Sequence, residues 1–328
     1  MPLLHPTKPS HGDYYLVTHD VASRLQMFRS ADLAVPHQND PMFGNFRDGL
    51  HAKLRQSLAG ISVHTVHIDD LARNIWNRVE RRVGDNWLIA STCPEIARAS
   101  GREHCILQVN RLFDREGKLI GYGPRPGCLP LREQFDAFAA NAYGRPVALL
   151  EEGAFSGGTI RFILGELKAR DIEVRMLVVG FCTPATRDCI KETFGGRLVV
   201  INEIGELLDW IIDRDLIPFT PGGGRVLGEK MLNGYACAFP YILPFGRMEE
   251  WASVSKNVAY ELSRFCLDAS IGFFDGFERT DRKPVTLQHL ADSYPAVPIP
   301  AVAGIGGEIL PLDTEISAFL ERVRQGLG

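Results

Sequence analysis

The sequence is poor in the features that mark membrane, disulfide-bonded and nucleic-acid proteins. No uncharged run spans a bilayer: the longest, residues 231–246, is too short and is broken by Pro240 and Pro244. Seven cysteines form an odd set with no Cys-x-x-Cys pair, which leaves reduced thiols as the expectation. Charge of one sign is also scarce, with 36 Lys and Arg against 40 Asp and Glu and a net charge of -4. Neither a nucleic-acid surface nor an anionic-membrane surface is therefore expected. Residues 1–15 hold no apolar core, so no secretory leader is expected and the cytoplasm is the expected location. No internal repeat stands out. What remains is a globular, enzyme-like composition, 45% hydrophobic over 328 residues, enough for a sizeable core.

The most informative stretch is Val147-Ala148-Leu149-Leu150-Glu151-Glu152-Gly153-Ala154-Phe155-Ser156-Gly157-Gly158-Thr159. Four apolar residues predict a buried strand, two carboxylates end it, and a loop of small residues leads into a helix marked by Ile160, Ile163, Leu164 and Leu167. Strand, Gly-rich loop and helix N-terminus together hold phosphate in α/β folds, because free backbone N–H groups and the helix dipole converge on the anion. Ser156 and Thr159 add hydroxyl donors. The acidic pair suggests a ligand that also carries a vicinal diol. A P-loop is excluded because Ile160 and Arg161 follow Thr159, and a nucleophile elbow because Ala154 stands two before Ser156.

At these residues the sequence resembles the type I phosphoribosyltransferases, whose signature has four apolar positions, two acids and a loop ending Thr-Gly-Gly-Thr or a near variant. It departs in having Glu152 where Asp is commoner, Gly153 where an apolar residue is usual, and Ser156 for Thr. The resemblance implies an enzyme that moves the phosphoribosyl group of phosphoribosyl pyrophosphate to an acceptor and releases pyrophosphate. Glu151 and Glu152 would be catalytic and hold the ribose hydroxyls. Gly153, Ala154, Phe155, Ser156, Gly157, Gly158 and Thr159 would hold the 5-phosphate. It places pyrophosphate on the loop at Ser91, Thr92 and Cys93, with Arg115, Lys118 and Arg125 from a mobile loop closing over it. Mg²⁺ would arrive with the substrate, with no direct protein ligands. The small-molecule partners would be phosphoribosyl pyrophosphate and an acceptor the sequence does not name, with a homodimer as an open option. A non-catalytic sensor of the same ligand is the alternative.

Alternating apolar runs and amphipathic segments predict an α/β fold with a parallel-sheet core over residues 86–220. The additions at 1–85 and 221–328 would form a large hood. Within the core, strands are expected at 87–90, 105–112, 174–179 and 197–201, and a helix at 131–142. Residues 114–130 read as a loop, Thr183-Pro184 as a helix start, and Ile204, Leu207, Leu208 and Ile211 as a further helix.

Other clusters read more plainly. His64, His67, Asp69 and Asp70 include metal-ligand types, but fit a strand edge entering a helix over 71–82 with Asp69 or Asp70 as N-cap. Gly222-Gly223-Gly224-Arg225 suits either a second anion site or, the favoured reading, an inter-element turn. Tyr235, Phe239, Tyr241 and Phe245 suit a base-stacking surface or, more commonly, core. Glu249-Glu250 reads as a solvated helix start.

Overall fold

The computed structural model describes residues 13–29, 33–114, 116–232, 235–279, 283–293 and 310–327. Its strands are β1 Tyr14–His19, β2 Leu33–Ala34, β3 Ser62–His67, β4 Leu88–Ser91, β5 His104–Ile106, β6 Val109–Phe113, β7 Leu119–Pro124, β8 Val147–Ala154, β9 Val174–Cys182, β10 Arg197–Glu203, β11 Leu207–Ile212, β12 Arg225–Leu232, β13 Tyr235–Phe239 and β14 Glu278–Arg279. The architecture is α/β. Five strands form a parallel sheet in the order β10-β9-β8-β4-β5. The chain builds outward in one direction through β4 and β5, then in the other through β8, β9 and β10. The strand order reverses between β4 and β8, and open parallel sheets bind ligands at such a crevice, beyond the carboxyl ends of the strands.

Both faces of this sheet are covered, which is why β8 opens with an unbroken apolar run rather than an alternating one. Helices Leu131–Ala142, Gly158–Lys168 and Pro184–Thr193 bury Phe135, Phe138, Ile160, Ile163, Leu167 and Ile190 against one face. Each such side chain contributes roughly 1.5–3 kcal/mol on burial. The other face packs against Ile68, Leu71, Ala72 and Ile75 of helix Ile68–Val79 and Ile96 of helix Pro94–Arg98.

A second parallel sheet, β11-β1-β3, and a mixed sheet, β13-β12-β6-β7, flank the core. The segments before and after the core share one hydrophobic centre. Tyr15, Phe43, Phe46 and Leu50 meet Leu262, Cys266, Phe273 and Phe319 there, and Phe43 lies 4.8 Å from Phe273 ring to ring.

Four expectations are corrected. Residues 204–211 do not make a helix: β11 runs as a strand with alternate burial and pairs in parallel with β1. Its spacing satisfied a helical period by coincidence, while Leu207, Asp209 and Ile211 alternate inward at period two. The segment 105–112 is two strands in two sheets, broken where Gln108 N donates to Gln134 Oε1 at 2.8 Å. Residues 114–130 contain β7, the antiparallel partner of β6. The helix after β3 has His67 as its N-cap, with Asp69 and Asp70 inside the first turn, where they face the positive helix end. The Thr183 cap is as expected, its side chain accepting from Thr186 N.

Candidate functional site

β8 runs past the expected four-residue strand to Ala154, so Gly153 and Ala154 of the expected loop lie in the strand; two glycines that no other residue replaces easily shape this stretch. Gly157, the N-cap of helix Gly158–Lys168, has φ 68°, in the left-handed region. At Gly153 a β-carbon would stand 2.3 Å from the Phe181 ring, so the ring from β9 packs directly against the backbone of β8. The carbonyls of the loop are tied from behind: Thr186 Oγ1 donates to Phe155 O at 2.6 Å and Arg161 Nη1 to Ser156 O at 3.2 Å. Of the helix's opening N–H groups, Gly158 N donates to Ser156 Oγ at 3.4 Å, and those that follow have no intrahelical acceptor, as at any helix start.

Tyr122, which sequence reasoning missed, covers this cradle. Its ring stacks on Phe162 at 4.4 Å and 14°, and its hydroxyl lies 2.8 Å from where a β-carbon on Gly158 would be. The sequence signal was an aromatic residue between two glycines, Gly121-Tyr122-Gly123.

Glu151 and Glu152 both lie buried, yet strand alternation sends them to different neighbours. Glu151 accepts from Thr92 Oγ1, across the switch from β4 to β8. Burial pushes its carboxyl up to about 7, against the lowering effects of Thr92, the Glu152 N–H and Arg125. Glu152 turns toward the second parallel sheet, where Thr18 hydrogen-bonds it and Trp210 Nε1 donates to Thr18 Oγ1 at 3.0 Å. Burial, with Glu151 and Glu95 adding repulsion against the lowering influence of Thr18 and Arg24, brings it up to about 8. Glu152 Oε1 has no hydrogen-bond partner. Thr18-His19-Asp20 ending an apolar strand was the readable sign of this second polar edge.

The expected pyrophosphate residues are brought together only in part. Ser91 and Thr92 lie at the carboxyl end of β4, but both hydroxyls are engaged: Ser91 Oγ accepts from Cys93 N at 3.0 Å, and Thr92 bonds Glu151. Cys93 Sγ donates to Glu95 Oε2 at 3.3 Å, and burial raises its thiol well above the usual range. Arg125 follows β7, lowers Glu151 and donates to Gly222 O at 3.4 Å. Lys118 is exposed at the hairpin turn, a strand length of about 20 Å from Arg125. Arg115 lies outside the described residues.

Near Glu152, Arg24 bonds Glu95 at 3.1 Å, and His19 Nδ1 lies 3.0 Å from Asp213. The His67 ring is 5.4 Å from that of His19, and His64 lies 5.1 Å from Tyr14. Among the described residues, no group of three His, Cys, Asp or Glu side chains is placed to hold a metal ion. No helix among them is long and apolar enough to cross a membrane.

No protein-family model matches the chain, and no curated protein does. Among solved structures, TT1426 from Thermus thermophilus aligns with 43% of this chain and 89% of its own, at 14% identity and a TM-score of 0.29. A hypothetical protein from Neisseria gonorrhoeae, solved with bound ppGpp, aligns with 44% of this chain and 82% of its own, at 12% identity and a TM-score of 0.33. Neither similarity is strong enough to lend this chain a residue role.

Proposed function

We propose that the protein is a phosphoribosyltransferase-like enzyme that binds phosphoribosyl pyrophosphate at the switch between β4 and β8. One observation carries this reading: the cradle at Gly153–Thr159 and a Thr92-held Glu151 sit side by side at the carboxyl edge of the sheet. The cradle suits the 5-phosphate and Glu151 a ribose hydroxyl, while Arg125 faces the negative charge that develops on departing pyrophosphate. In the reaction a nucleophile of the acceptor bonds to C1 as the C1–O bond to pyrophosphate breaks. Burial of Glu151 and the cover of Tyr122 exclude water from an oxocarbenium-like centre. A hard carboxylate oxygen such as Glu151's would suit Mg²⁺, whose other ligands would be the substrate's own oxygens and water.

A second reading, a sensor that binds the same ligand without turnover, is favoured by one feature. Glu152 is committed to Thr18 on the far side, which leaves Glu151 as the single carboxylate beside the cradle. Pyrophosphate release from phosphoribosyl pyrophosphate and Mg²⁺, measured across a panel of purine, pyrimidine and other ring acceptors, separates the two. Release with one acceptor, lost in Glu151→Gln more than affinity is lost, supports the enzyme. Tight binding with no release against any acceptor supports the sensor.

A further inference from the structure

Buried side-chain atoms without a hydrogen-bond partner include Arg125 Nε, Thr220 Oγ1, Arg225 Nε, Glu249 Oε2 and Trp251 Nε1, and of these residues Arg225 and Trp251 lie against one another. The turn Gly222-Gly223-Gly224 lies beside Arg125 and Arg225. Thr220 opens it, Arg225 closes it, and Arg125 donates to Gly222 O across it. Trp251 and Glu249 share the short helix Met248–Trp251. Folded proteins pair most buried polar groups, so such orphans call for an explanation. Four of the five are donors.

The Arg225 guanidinium hydrogen-bonds the Tyr241 side chain and is flanked by rings, 4.4 Å from the centre of Phe113, 5.0 Å from Trp251 and 5.4 Å from Tyr241. Rings compensate a buried cation in part, whereas an anion does so fully. Asp215, the acid influenced by both Arg125 and Arg225, is already engaged by Gly224 N at 2.8 Å. Gly117, in the hairpin turn between β6 and β7, roofs the patch. A β-carbon there would stand 3.3 Å from Arg225 Nη1 and 3.8 Å from Trp251 Nε1, so the two donors approach one point from below.

We propose that this patch is a second anion site, separate from the cradle at 153–159, that takes a small oxyanion, a carboxylate or a phosphate, on Arg225 and Trp251. Arg125 borders both sites, but the two ligating groups here, Arg225 and Trp251, take no part in the phosphoribosyl reading. The glycine turn is then not a loose connector but the rim of a site. Gly224 N is fixed on Asp215, and a β-carbon at Gly223 would stand 2.6 Å from Arg214 O.

The test is titration with inorganic phosphate and, separately, with benzoate, read by calorimetry and by tryptophan emission. It is run in the wild type and in Gly157→Val, whose cradle is disabled. The expected result is saturable binding of at least one anion in both proteins, with an emission change that Trp251→Phe removes. Affinity should fall about tenfold or more in Arg225→Gln, the loss expected for a charge-assisted hydrogen bond. The tighter of the two anions assigns phosphate or carboxylate as the ligand. Circular dichroism checks each variant, and Arg225→Lys, which keeps the charge and loses the fork, replaces Arg225→Gln if that variant fails to fold. Absence of saturable binding of either anion overturns the proposal, as does binding that the folded Arg225 variant leaves unchanged.

Discussion

Thr92 Oγ1 lies 2.8 Å from each carboxylate oxygen of Glu151. Thr92 directly follows β4 and Glu151 lies within β8, on either side of the point where strand order reverses. The hydroxyl can donate to one oxygen at a time, so it fixes the carboxylate while leaving acceptor capacity for a ligand.

The two buried carboxyls predict an unusual dependence of stability on pH. Their folded values, about 7 for Glu151 and about 8 for Glu152, lie above the ordinary carboxylate value. Such groups contribute stability that is fully present below pH ~4.5 and is lost as pH rises through 7 to 8. Glu152→Gln, which mimics the protonated form, should stabilise the protein by about 2–4 kcal/mol at pH 9 and change little at pH 5. Thermal melts at the two pH values measure this, and equal shifts at both would contradict it.

Tyr122→Phe keeps the stack on Phe162 and removes the hydroxyl above Gly158. Affinity for ribose 5-phosphate should fall by roughly 1–1.5 kcal/mol, about tenfold, with the melting temperature nearly unchanged. An unaltered affinity would make the tyrosine a packing residue only.

Gly153→Ala should destabilise the fold by about 1–3 kcal/mol, because the added carbon must displace the Phe181 ring. Adding Phe181→Leu should recover part of that loss, a coupling that a double-mutant cycle in urea would reveal.

Where local pattern and tertiary context agreed, the sequence was readable. The run Val147 to Leu150 predicts a strand covered on both faces, and Ile160, Ile163 and Leu167 predict the helix face that covers it. Thr183-Pro184 likewise carries its own cap. The failures share a cause in long-range pairing. β11 becomes a strand because β1, almost two hundred residues earlier in the chain, offers it an edge. The Gly- and Pro-rich segment after Asp114 becomes half a hairpin because β6 pairs with β7 and also with β12. The divergence of Glu151 and Glu152 follows from β8 continuing through both, beyond the four-residue apolar run that predicted the strand. The partner of Glu152, Thr18, was not legible, since only the folded chain brings β1 to the end of β8.

Gly157 gives the most direct test of the central claim that the loop at 153–159 cradles the 5-phosphate of phosphoribosyl pyrophosphate. Its φ of 68° disfavours any side chain, and a β-carbon would stand 3.2 Å from Ile190 Cγ1 at the head of the helix. Calorimetric titration of phosphoribosyl pyrophosphate with Mg²⁺ should show saturable binding to the wild type, much weaker without the metal. In a Gly157→Val protein that remains folded by circular dichroism, binding should be lost. Equal affinity in the two proteins, or no binding by the wild type, would contradict the account.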